Sequence, residues 1–137
     1  MSYITEQIKS VLDLLGIDPN DCIVSFSCVL YVLGLIEGIP NDYDIVVNEK
    51  AWKVMLQKNF VVEKAEYGGK VIRVGNFEFY NKFPNFFSGE SSLPNLKIEG
   101  INYMNPKSLR IMYIMFGRIK DDKKIDLLTS YINSHRD

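Results

Sequence analysis

Apolar residues Ile4, Ile8, Val11, Leu12 and Leu15 recur at intervals of three and four, with Gly16 directly after them. That spacing predicts an amphipathic helix over 3–15 closed by a glycine cap. Asp18-Pro19-Asn20-Asp21 predicts a turn into a short β segment, Cys22 to Val24. From Ser27 to Leu35 the chain is apolar nearly all round, and the breakers between Gly34 and Asn41 predict a buried helix ending near Leu35, followed by a loop that leads to Asp42.

Asp44-Ile45-Val46-Val47 reads as a buried strand, and Asn48 as the N-cap of a helix from Glu49 to Lys58 with Trp52, Met55 and Leu56 facing inward. Phe60 to Glu66 and Lys70 to Val74 flank Tyr67-Gly68-Gly69, a hairpin signal, and Gly75-Asn76 introduces a strand from Phe77 to Tyr80. Residues 81–95, with Pro84, Gly89, Pro94 and three serines, predict an irregular and mobile connection. A strand pair around Glu99-Gly100 comes next. Asn105-Pro106 then starts a helix that carries Leu109, Met112, Tyr113 and Phe116 on one face and stops at Gly117. Ile125, Leu128 and Ile132 mark a last helix, entered through a charged segment from Arg118 to Lys124. There is no repeat, linker or low-complexity tract, so the expected architecture is a single α+β domain over 1–137: a mixed β-sheet with helices packed on it and a closing C-terminal helical pair.

Composition narrows the function classes only a little. At 137 residues the chain has the length of one domain with one core. With 16 basic and 17 acidic side chains, bulk charge offers nothing to a nucleic acid or a membrane surface, so any anion site must be local. The apolar run 22–36 is too short for a membrane span and contains Ser25 and Ser27. Cys22 and Cys28 lie inside that run with no zinc-ligand spacing, which reads as buried thiols in a reducing compartment. The start, MSYITEQIKS, lacks a basic segment followed by an apolar one, so a cytoplasmic protein is expected.

The informative chemistry is acidic. Alternate side chains of an extended segment share a face, so Asp42 and Asp44 project together while Tyr43 and Ile45 point the other way. Glu78 departs in the same manner from the apolar strand that holds Phe77 and Phe79. Carboxylates held close repel and resist burial unless a cation joins them, and an oxygen-only, partly open set suits Mg²⁺. The blander reading makes Asp42 a loop cap, Asp44 the start of an edge strand, and Glu78 a solvated outer residue. Arg118 and Lys120 fit a solvated turn as readily as a phosphate site. Tyr80, Phe83, Phe86 and Phe87 fit core packing as readily as stacking on a base or acceptor. A serine or cysteine hydrolase is excluded by the lack of a histidine near the core, and a phosphate loop of the Walker type by the lack of its lysine motif.

Upstream of the acids, Val24-Ser25-Phe26-Ser27 reads as a strand end turning into a helix, a place where backbone N–H groups and a hydroxyl can meet phosphate oxygens. The stretch VSFSCVLYVLGLIEGIPNDYDIVV, followed by FEFYNKF and MNPKSLRIMYIMFGRIKDDKKIDLL, resembles the nucleotidyltransferase-like superfamily with the DNA polymerase β type of fold, in particular its small bacterial and phage members. The resemblance covers about residues 20–132. It implies that Asp42, Asp44 and Glu78 are the catalytic, metal-holding acids for one or two Mg²⁺. It further implies that Ser25, Phe26, Ser27, Arg118 and Lys120 bind a nucleoside triphosphate (NTP), whose nucleoside monophosphate passes to a hydroxyl on a small molecule, protein or RNA. Where relatives carry glycine in the phosphate turn, this chain has Phe26. The rival expectation is therefore a catalytically silent, antitoxin-like or phage-encoded module of the same fold that acts by binding a partner. A chain this short has little room for an acceptor pocket, so a second subunit or a partner protein is expected to supply one.

Overall fold

The computed structural model describes residues 2–87 and 93–135. Helix α1 (Tyr3–Leu15) begins at Ser2, whose hydroxyl accepts from the Thr5 amide, and ends at Gly16 in the left-handed conformation with φ 73°. After a 3₁₀ turn at Pro19–Asp21 come β1 (Cys22–Ser25), α2 (Ser27–Val32), β2 (Tyr43–Val47) and α3 (Glu49–Leu56). The Asn48 side chain caps α3 by accepting from the Ala51 amide. Strands β3 (Val62–Lys64), β4 (Lys70–Val74), β5 (Phe77–Tyr80), β6 (Leu96–Ile98) and β7 (Ile101–Tyr103) follow. The chain closes with α4 (Pro106–Phe116), capped by Asn105 and Gly117, and α5 (Asp122–Ser134).

One mixed seven-stranded sheet runs β3-β4-β5-β2-β1-β7-β6. Strand β2 pairs antiparallel with β1 and parallel with β5, and β1 runs parallel to β7. Strict alternation sorts the sheet into two faces. Tyr43, Ile45, Val47, Phe77, Phe79, Val24 and Ile72 join Ile4, Ile8 and Leu12 of α1, Met55 of α3, Leu109 and Met112 of α4, and Leu128 of α5 in one core. The opposite face carries Ser25, Asp44, Glu78 and Arg73 in a single cross-strand row, since Ser25 pairs with Asp44, Asp44 with Glu78, and Glu78 with Arg73. Val46, Val71 and Ala65 are buried there too, outside the helix-covered core. One face thus supplies the stability and the other is free to carry polar chemistry.

Three expectations need correction. Helix α2 stops at Val32, short of Leu35, because Gly34 turns left-handed at φ 75°, with its amide bonding three residues back to Tyr31 and the Leu35 amide five back to Leu30. Leu56 is 47% exposed rather than inward, since it lies about 100° round the helix from Met55, off the face that Ala51 and Met55 bury. The strand expected over 60–66 shrinks to Val62–Lys64, an edge strand exposed throughout whose residues find pairing on one side only. Of the irregular connection expected over 81–95, residues 88–92, with Gly89 and the three serines, lie outside the described residues.

Candidate active site

A cleft of about 390 Å³ opens on the polar face of the sheet, between the β2–β5–β4 strands and the α4–α5 pair. It gathers most of the residues singled out in the sequence: Phe26, Ser27, Asp42, Asp44, Glu78, Arg118 and Lys120 all line it. Ser25 does not. Its side chain is fully buried beneath the row, and its hydroxyl has no hydrogen-bond partner among the described residues. Ser25 is thus the covered end of the row that Asp44 and Glu78 continue.

The acids are arranged by strand register. Asp44 and Glu78 stand directly opposite each other across the parallel β2–β5 ladder, and their carboxyl groups are close enough to share a proton. Burial, then the charge of Glu78 and a hydrogen bond with it, then the charge of Asp42, raise the Asp44 carboxyl from 3.8 to about 7, with Lys124 pulling the other way. Glu78 is held in place from two sides. The Tyr80 hydroxyl donates to its Oε2 at 2.6 Å, and Arg73 Nε lies 3.7 Å from its Oε1. With only 20% of its side chain exposed, Glu78 is not the solvated outer residue of the blander reading. Asp42 lies just ahead of β2 and is exposed, reaching Asp44 through charge alone.

Among the described residues, no three Asp, Glu, His or Cys side chains are grouped so as to ring a metal ion. The donors still fit Mg²⁺ chemically. Two carboxylates in contact, one of them keeping its proton to about neutrality, form an oxygen site whose internal repulsion a hard cation relieves.

Opposite the acids the cleft is cationic. Asp121, fully buried in the turn between α4 and α5, accepts from Arg118 Nε at 2.7 Å and draws Lys124 Nζ to 3.7 Å. Arg118 also stacks over the Phe116 ring at 4.2 Å. Arg118, Lys120 and Lys124 thus face Asp44 and Glu78 from the helical pair, with Arg73 and Lys82 at the cleft's other margins. For a chain with net charge −1 this is a concentration of positive charge in one place.

Phe26 occupies the turn between β1 and α2 with φ 60° and ψ −134°. That region belongs almost solely to glycine. The backbone therefore keeps a glycine's path although the residue is phenylalanine. The ring leans on Tyr113 and Phe116, both at 5.8 Å between centroids, and forms part of the cleft wall with them. Tyr67 and Phe86 extend that wall by packing on Phe116 at 4.5 and 5.0 Å.

The sequence reading missed Arg73, Tyr67, Lys124 and Asp121, and it took Tyr80 for a stacking candidate only. Tyr80 sits two residues beyond Glu78 on the same strand, so alternation alone could have joined them. Arg73 required the β4–β5 register. Asp121 looked like one charge among several, and nothing local marks it as the buried anchor. No protein-family model matches the chain, and no curated protein matches it.

Proposed function

We propose that the cleft is the active site of a Mg²⁺-dependent nucleotidyltransferase, which moves a nucleoside monophosphate from an NTP to a hydroxyl acceptor. The observation that carries this reading is the Asp44–Glu78 pair, set side by side by the β2–β5 register, in one cleft with Arg118, Lys120 and Lys124. Acids that repel each other beside a wall of cations suit a ligand that brings both a metal and phosphates.

In this reading Arg118, Lys120 and Lys124 hold the outer phosphate oxygens, and Asp121 keeps the first and last of these cations in position. Asp42, Asp44 and Glu78 would hold Mg²⁺, which when bound supplies charge neutralisation along the phosphates. The acceptor oxygen forms a bond to the α-phosphorus as the bond to pyrophosphate breaks. The acceptor's proton passes to the Asp44–Glu78 pair, where Tyr80 donating to Glu78 fixes the orientation of the receiving carboxyl. The aromatic wall of Phe26, Tyr67 and Phe116 offers ring faces to a base.

A second reading, the catalytically silent partner-binding module, draws on Phe26. Its ring fills space that a phosphate turn leaves open, and the three acids are not closed around a metal position. Calorimetric titration of Mg-ATP and Mg-GTP decides between them. The enzyme reading expects saturable binding that is lost in the Asp42→Ala, Asp44→Ala double variant. Heats equal to dilution for both nucleotides would leave the partner-binding reading.

A further inference from the structure

A second cleft, of about 590 Å³, lies at the other end of β1 and β2, and the Proposed function makes no use of it. Val46, Lys82 and Pro84 line both clefts, so the two adjoin along these residues. Val46 shares the face of Asp44 and lies two residues further along β2, a rise of about 7 Å. The join between the clefts therefore stands one substrate-sized step from the acid pair.

The chemistry changes across that join. Six of the chain's eleven asparagines, Asn20, Asn48, Asn81, Asn85, Asn95 and Asn102, line the second cleft. Phe83 and Phe87 form its apolar side, their rings 5.3 Å apart. Asn48 is fully engaged, accepting from the Ala51 amide and donating to Asp21, and the Asn20 oxygen accepts from Lys97, but part of the remaining amide capacity is unspent. Asn81 uses its oxygen to accept from the Lys70 amide and Asn102 uses its nitrogen on the Pro19 carbonyl, which leaves each with its other half. Asn85 makes no side-chain hydrogen bond among the described residues; its amide group rests on Gly68, where a Cβ would meet it at 2.3 Å. The fully charged groups offer less. Asp21 already accepts from Asn48 Nδ2 at 2.8 Å, and Lys82 stands at the join.

Neutral amides carrying both donors and acceptors, next to aromatic faces, match a ligand with many hydroxyls and no charge. We infer that the asparagine-lined cleft is the acceptor subsite and takes a neutral saccharide, one hydroxyl of which reaches past Val46 to the acid pair. The assignment of the acceptor role rests on the proposed nucleotidyl transfer; the assignment of the saccharide class rests on the amides and rings alone. A cationic amino-sugar is disfavoured, since Asp21 is the sole acid on this cleft among the described residues and it is engaged.

The test is nuclear magnetic resonance titration of the full chain, reading the side-chain NH₂ signals of Asn81, Asn85 and Asn102. The probes are N-acetylglucosamine, glucosamine and adenosine, each added alone. The inference expects saturable shifts with N-acetylglucosamine, weaker ones with glucosamine, and about three- to tenfold weaker saccharide binding in Asn85→Ala, the loss typical of one or two hydrogen bonds. Asn85 has no side-chain bond to break, so this variant should fold as the parent does. It is overturned if N-acetylglucosamine moves none of these signals, or if adenosine alone moves them, which would make the cleft a base pocket. A parallel Mg-ATP titration read at the backbone amides of Ser27 and Tyr80 tests the nucleotide reading separately. Saccharide shifts without ATP shifts would retain the saccharide site and remove the transfer, whereas ATP shifts without saccharide shifts would do the reverse.

Discussion

Replacing Asp44 by asparagine should make the protein more stable at alkaline pH. In the folded chain the Asp44 carboxyl is raised from 3.8 to about 7. The folded state therefore holds a proton that the unfolded chain gives up near 4. Linkage fixes the sign: this stabilising contribution is fully present below about pH 4 and is lost as pH climbs through about 7. Three pKa units correspond to about 4 kcal/mol at most, and hydration at the open mouth of the cleft brings the expectation to about 2–4 kcal/mol. Asparagine keeps the shape, can donate to Glu78 as the protonated acid does, and never ionises. The variant's advantage should be absent near pH 4 and full at pH 8. For a chain of this length that is about 7–14 °C in Tm at pH 8. Thermal and urea unfolding of both proteins at pH 4, 6 and 8 would measure it. A variant that is equally or less stable at pH 8, or a gain that does not change with pH, would refute the reasoning. Such a result would mean that Asp44 and Glu78 do not strain the fold by facing each other.

Other expectations follow from the same structure. At Phe26, with φ 60° and ψ −134°, Phe26→Gly loses the ring packing but relieves the backbone, whereas Phe26→Ala loses the packing and keeps the strain; glycine should therefore be more stable than alanine by about 1–2 kcal/mol in urea unfolding, the reverse of their usual order in a helix. Phe26→Gly should also bind Mg-ATP more tightly, and an unchanged affinity would show that the ring does not crowd the nucleotide. Asp121→Asn leaves Arg118 and Lys124 without their shared buried carboxylate, so stability should fall by about 1–3 kcal/mol and inorganic triphosphate should bind more weakly. Leu109→Ala, in the core, should cost about 2–5 kcal/mol, whereas Leu56→Ala, at an exposed position, should stay within about 0.5 kcal/mol in the same assay.

The sequence revealed much of the fold because its signals were local. Gly16 and Gly117 stop α1 and α4 in left-handed geometry, Asn48 and Asn105 start α3 and α4, and the alternation of Phe77, Glu78 and Phe79 fixes two faces of one strand. It fell short where tertiary contact decides. Nothing within 60–66 says that only three residues find a pairing neighbour, and nothing at 27–35 says that α2 will turn back after one and a half turns. The acids at 42, 44 and 78 were legible from strand alternation; the meeting of Asp44 with Glu78 follows from a parallel pairing that sequence spacing alone does not supply, and Asp42 stays ahead of the strand. Asp121 was invisible for the opposite reason. A charged run looks solvated, and its burial comes from the way α4 and α5 pack around the turn.

The most direct test of the acid pair as a metal-nucleotide site uses Mn²⁺ in place of Mg²⁺, because its unpaired electrons broaden nearby nuclear magnetic resonance signals. Added with a non-hydrolysable ATP analogue, it should broaden the amide signals of Asp44, Glu78 and Tyr80 first, leave α1 sharp, and lose this selectivity in Asp44→Asn. Broadening spread evenly over surface carboxylates, or the same pattern in wild type and Asp44→Asn, would contradict the account.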